Sequence, residues 1–189
     1  AVTVQVSLNG AEYVGSVQTA SGATVQLSQS VTPGAPVSLQ LTTATSSVAD
    51  LQQATAYYLA DKSARFVRQA HLFAGDPAVD AVDSIAVRVM DGNIDCNAQY
   101  TGTSIEFGTG SGCGGAPMAF STGVEHEWGH GLDDAFGGIA MSNDGLEEGY
   151  ADVLANLMTG QPLIGRDFPT VGQVLRDANN TATYPNGSF

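Results

Sequence analysis

Val124-Glu125-His126-Glu127-Trp128-Gly129-His130-Gly131-Leu132 is the stretch on which the reading of this 189-residue chain turns. It contains the pattern HExxH. On a helix, residues four apart lie one turn from each other on the same face. His126 and His130 can therefore grip one metal ion, at about 2.0–2.1 Å for zinc. Glu127, one residue along, points beside the ion rather than onto it. There it can take a proton from water activated at the metal. Only three histidines occur in the chain, and two fall in this pattern. Gly129 and Gly131 each weaken a helix by about 1 kcal/mol relative to Ala, a cost that makes sense if another backbone packs closely there. Trp128 points away from the metal face and reads as packing.

A third ligand is expected downstream. Glu147, Glu148 and Asp152 fall in a predicted helix over about 146–158, and Glu148 and Asp152 are again four apart on one face. A carboxylate from Glu148 would complete a His₂Glu set with its fourth position open. Asp152 could then accept a hydrogen bond from the free ring nitrogen of His126 and fix its tautomer. Glu147 is the rival for the ligand role. Asp133 and Asp134 are further candidates, as ligands or as hydrogen-bonding groups near the helix end. A metzincin-type third histidine would fall at position 136, which is Phe136.

The rest of the chain bounds what this constellation can serve. Six Lys+Arg stand against 19 Asp+Glu, a net charge of −13. That leaves little with which to build a phosphate-neutralising patch, so nucleic acid is not an expected partner. An anionic membrane surface would repel the chain for the same reason. No apolar run reaches the roughly 18 residues of a spanning helix, and no basic n-region precedes an apolar one. The opening AVTVQVSLNG reads as the start of a processed chain or of a fragment. Cys96 and Cys113 lie close enough in sequence to pair across a short loop, which fits an oxidising compartment; two buried thiols are the alternative.

Three regions are expected. Residues 1–45 form a β-rich segment, whose alternating Val2, Val4 and Val6, then Val14 and Val17, Val25 and Leu27, and Val37, Leu39 and Leu41 read as short antiparallel strands. Residues 46–160 form the metal-binding core. It opens on a capping box at Ser47 and Asp50. A helix over about 48–72 follows, with Leu51, Ala54, Tyr58, Phe66 and Ala70 on one face, ended by Gly75 and Pro77. Strands over about 85–90 and 103–107, a Gly-rich loop over 108–115 and a helix over about 121–132 come next. Residues 161–189 are punctuated by Pro and Gly and read as the start of a further lobe. The class is α+β.

His126-Glu127-Trp128-Gly129-His130-Gly131-Leu132 with Glu148-Gly149-Tyr150-Ala151-Asp152 resembles the gluzincin metallopeptidases, especially the thermolysin-like and fungalysin-like families. Upstream, Cys96-Asn97-Ala98-Gln99-Tyr100 is similar to the edge strand with which those enzymes bind substrate backbone by β-augmentation. The resemblance covers about residues 48–160 and, weakly, the β-rich start. It implies the N-terminal lobe of a thermolysin-like zinc metallopeptidase. In that lobe a twisted sheet precedes the helices carrying zinc, Asn97 and Ala98 hold substrate, and Tyr100 flanks the cleft. It has a place too for the helix with Tyr57, Tyr58 and Phe66. The transition-state-stabilising His of those enzymes comes from a helical C-terminal lobe. Here the remaining histidine, His71, lies upstream of the metal helix, and Met141 stands where those enzymes carry a Tyr. A C-terminal lobe of the same precursor is therefore an expected partner. Calcium is a possible second ion that the acidic charge allows without marking its ligands.

The expected function is a secreted zinc endopeptidase acting on peptide or protein substrates, with Glu127 as general base. The alternative is a zinc-stabilised module that binds peptides without cutting them.

Overall fold

A computed structural model of the chain describes residues 1–10, 12–69, 75–115, 118–120, 122–139, 145–167, 170 and 172–181. Ala70, His71 and Met141 lie outside these residues. Strand β1 (Val2–Ser7) pairs antiparallel with β3 (Gln26–Val31) as a two-stranded ribbon, Val6 opposite Leu27. Between them in sequence, β2 (Ser16–Thr19) leaves the ribbon and pairs in parallel with β4 (Ala86–Asp91). β4 pairs in parallel with β6 (Ser104–Gly108), and β6 antiparallel with β5 (Ala98–Tyr100), giving the sheet order β2-β4-β6-β5. Among the described residues β5 is thus an edge strand. The helices are α1 (Val48–Gln69), α2 (Pro77–Val82), α3 (Thr122–Ala135) and α4 (Leu146–Thr159). A short ribbon of β7 (Leu163–Ile164) and β8 (Arg176–Asp177) follows. The class is α+β.

Two expectations about the first 45 residues need correction. β2 is parallel to its neighbour, because its partner lies beyond α1 and the chain returns by a crossover. Residues 37–41 form no strand, and Val37 and Leu39 are exposed.

The buried face of α1 also differs from the expected one. Ser47 caps the helix through its hydroxyl, which accepts the Asp50 amide at 3.1 Å. Leu51 and Tyr58 are exposed, and the buried face consists of Gln52, Gln53, Ala56, Ala60, Ser63, Ala64 and Val67. Small side chains won over large ones because α1 lies flush against the sheet and α3, where close approach buries more surface than protruding rings allow. Pro77 does not merely stop α1. It sits at the first turn of α2, whose N-cap Asp76 accepts the Ala78 amide at 2.9 Å.

One continuous core joins Val17, Val87, Val89, Ile105 and Phe107 of the sheet to Ala56, Ala60 and Ala64 of α1 and to Val124, Trp128 and Leu132 of α3. Burying a side chain such as Phe107 contributes about 1.5–3 kcal/mol. Trp128, 1% exposed, anchors α3 into this core, which leaves the opposite side of the helix to face α4.

Candidate metal centre

The spacing of α3 brings His126 Nε2 and His130 Nε2 to 3.1 Å from each other. From α4, Glu148 places Oε2 at 3.3 Å from His126 Nε2 and Oε1 at 3.6 Å from His130 Nε2. Ligand atoms of His126, His130 and Glu148 all lie within 4.8 Å of one another. Donors held tetrahedrally at zinc distances would stand about 3.3 Å apart, so the set fits a zinc-sized ion. Glu147 is turned to the other side of the ring, its Oε1 at 3.7 Å from His130 Nδ1. Asp133 and Asp134 serve elsewhere: Asp133 accepts the Ile139 amide at 2.8 Å, and Asp134 accepts the Tyr100 hydroxyl at 2.9 Å.

Two glycines of α3 sit where neighbours approach closely. A Cβ on Gly129 would meet the Ala151 Cα of α4 at 3.2 Å. One on Gly131 would press into the end of the Ile85 side chain. At Gly129 the neighbour is backbone, as the sequence suggested. At Gly131 it is a side chain.

Around the ligands lies a partly buried electrostatic frame. Asp152 brings Oδ1 to 2.8 Å from His126 Nδ1. The Asp152 carboxylate is also clasped at both oxygens by Arg176 of β8, through Nε at 2.5 Å and a terminal nitrogen at 2.8 Å. That fork-on-fork geometry fixes the carboxylate's orientation. Arg176 also reaches to 3.6 Å from Glu148 Oε2.

Titration follows this geometry. Burial lifts the Glu127 carboxyl to about 7, opposed by the charge of His126. Burial disfavours charge on His126, but its contacts with Asp152 and Glu148 outweigh that and raise it to about 9 in the metal-free chain. His130 is lowered, first by burial and then by the charge of His126, which favours the neutral ring a ligand needs. Glu148 is lowered by its contact with His126.

A cleft of about 330 Å³ opens over these residues. Asn97, Ala98, Gln99 and Tyr100 line it on one side, and Ile164, Gly165, Arg166, Leu175 and Arg176 are also among its lining residues. The Asn97–Tyr100 segment is held at both ends. Cys96 and Cys113 form a disulfide just before Asn97, and Tyr100 is tethered to α3 through Asp134.

Sequence reasoning placed His126, Glu127, His130, Glu148, Asp152, Asn97, Ala98 and Tyr100 at the site, and they meet there. It missed Arg166, Arg176 and the apolar Ile164 and Leu175. The available signal was scarcity: two of only six cationic residues fall within eleven positions of each other in the 161–189 segment. No protein-family model matches the chain, and a search of curated proteins finds no match.

Proposed function

We propose that the chain is a zinc-dependent endopeptidase domain of gluzincin type, resembling the N-terminal lobe of thermolysin-like enzymes. The observation that carries this reading is the convergence of His126, His130 and Glu148 beside the buried carboxyl of Glu127. Two imidazoles and one carboxylate suit zinc and leave a coordination position for substrate or water. When bound, zinc supplies Lewis-acid polarisation of a carbonyl and acidification of water.

The chain's own residues do the rest. Glu127, with its carboxyl poised near neutrality, takes the proton of the attacking water and returns it to the leaving amine nitrogen. Asp152 orients His126, and Arg176 orients Asp152. β5 supports a peptide as substrate, because an edge strand lining the cleft offers unpaired backbone groups to an extended chain. The disulfide supports a secreted location, and among the described residues no helix is long and apolar enough to cross a membrane.

Glu127→Gln is the decisive variant. It should retain one zinc per chain by elemental analysis while casein cleavage falls by about a hundred- to ten-thousand-fold. Undiminished cleavage would reject Glu127 as the base, and a chain that binds no zinc would reject the reading altogether.

A further inference from the structure

Cations are rare in this chain, and nearly all are spoken for. Lys62 faces Glu125 at 3.7 Å, Arg65 pairs with Asp61 at 2.7 Å, and Arg68 with Asp83 at 2.5 Å. Arg88 pairs with Glu106 at 3.0 Å, and Arg176 clasps Asp152. Among the described residues, Arg166 alone has no ion pair, although 19 acidic residues surround six cations. It is exposed, and it lines the cleft above the metal ligands.

Arg166 also stands on a fixed mount. The preceding Gly165 amide donates to the Thr122 hydroxyl at 2.9 Å, tying the end of β7 to the first turn of α3. The following Asp167 turns the chain, with its amide donating to the Gln173 carbonyl at 2.6 Å and its carboxylate accepting the Gly172 amide at 2.6 Å. Arg166 therefore lines, from an anchored turn, a cleft whose other titratable groups belong to the candidate metal site and its frame or to the strand beside it.

We infer that Arg166 is a specificity-determining residue that reads a carboxylate on the bound peptide, either an acidic side chain or the chain's own C-terminus. A guanidinium presents a rigid fork matched to a carboxylate. In a molecule with a net charge of −13, which repels acidic ligands in general, a cation at the cleft without an ion pair among the described residues decides where such a group is tolerated. This inference rests on the peptide-binding part of the peptidase reading and names its substrate class.

The test uses matched fluorescent peptides in sets of four, with Glu or Gln at one position and with a free or an amidated C-terminus, the position moving from set to set. Binding is measured to the full chain carrying Glu127→Gln, and cleavage with the unmodified chain. The carboxylate form should bind about tenfold more tightly than its neutral match, with the advantage shrinking as salt rises. The Glu/Gln and acid/amide pairs tell the two sources apart. Arg166→Ala should erase the ratio, Arg166→Glu invert it, and Arg166→Lys keep part of it. An unchanged ratio in Arg166→Ala, or no ratio in the unmodified chain, overturns the inference. Peptides bound with the carboxylate preference but never cut would leave it standing and remove the peptidase reading. Cleavage with no preference would do the reverse.

Discussion

α1 and α3 both bury polar side chains against the same core, and they treat them in opposite ways. On α1, Gln52 accepts the Ala119 amide at 3.3 Å and donates to the Met90 sulfur, and Gln53 accepts the Val25 amide at 3.0 Å. Ser63 donates back to the Leu59 carbonyl at 2.9 Å. Each group is neutral and matched. On α3, Glu125, His126, Glu127, His130 and Asp133 are all buried and all ionisable. Among the described residues neither Glu125 oxygen nor His130 Nδ1 has a hydrogen-bond partner. Buried polar groups are costly unless paired, so α1 shows how this fold satisfies them when they are architecture. α3 keeps ionisable groups that architecture alone would not choose, and groups of that kind cluster at functional sites.

The contrast can be broken at several points. Asp152→Asn removes the carboxylate behind His126 without altering any ligand, and zinc affinity should fall about ten- to a hundredfold in a chelator competition. An unaltered affinity would show that the α3–α4 geometry needs no such support. Gln53→Met strands the Val25 amide, and the loss should be about 1–3 kcal/mol in denaturant unfolding with no change in zinc affinity. A change in zinc affinity would blur the line between the two helices.

Glu125→Gln should go the other way and stabilise the protein above neutrality. Burial raises the folded carboxyl from 4.5 to about 7. The folded state therefore holds the proton more tightly than the unfolded chain, and stability falls as pH rises from about 4.5 through 7. His126, also raised, imposes a fall as pH rises from 6.5 through about 9, so the informative quantity is the difference between variant and unmodified chain. That difference should be small at pH 5 and favour the variant at pH 8. Lys62, with 37% of its side chain exposed, can turn to water once its partner is neutral. Equal stabilities at pH 8 would mean that Lys62 fully compensates the carboxylate.

How much of this was legible depended on the range over which each signal acts. The helical period alone puts His126 above His130 and Glu148 in line with Asp152, so the candidate ligand set could be read from positions four apart. The start of α1 followed from its local cap, Ser47. The buried face of α1 did not, because Leu51 and Tyr58 satisfy a hydrophobic pattern while the packing partner selects Ala56, Ala60 and Ala64. The parallel partner of β2 was beyond reach for a different reason, since alternation reports which side chains share a face and not which strand lies alongside. Arg176 and Arg166 were hidden because they reach the cleft only when β7 and β8 fold back over α3 and α4, a contact without any sequence period.

The pairing of β2 with β4 sets the pace at which the molecule can assemble. Ser16 and Ala86 are neighbours across the ladder, yet the whole of α1 and α2 lies between them in the chain. Such a long loop must close before the pairing returns any energy. The ribbon of β1 and β3 can zip early, since Ser7 and Gln26 are partners at short range, but it then waits with β2 unpaired between its arms. Newly made chains therefore spend their most vulnerable interval with a strand exposed that only β4, on the far side of α1 and α2, can cover.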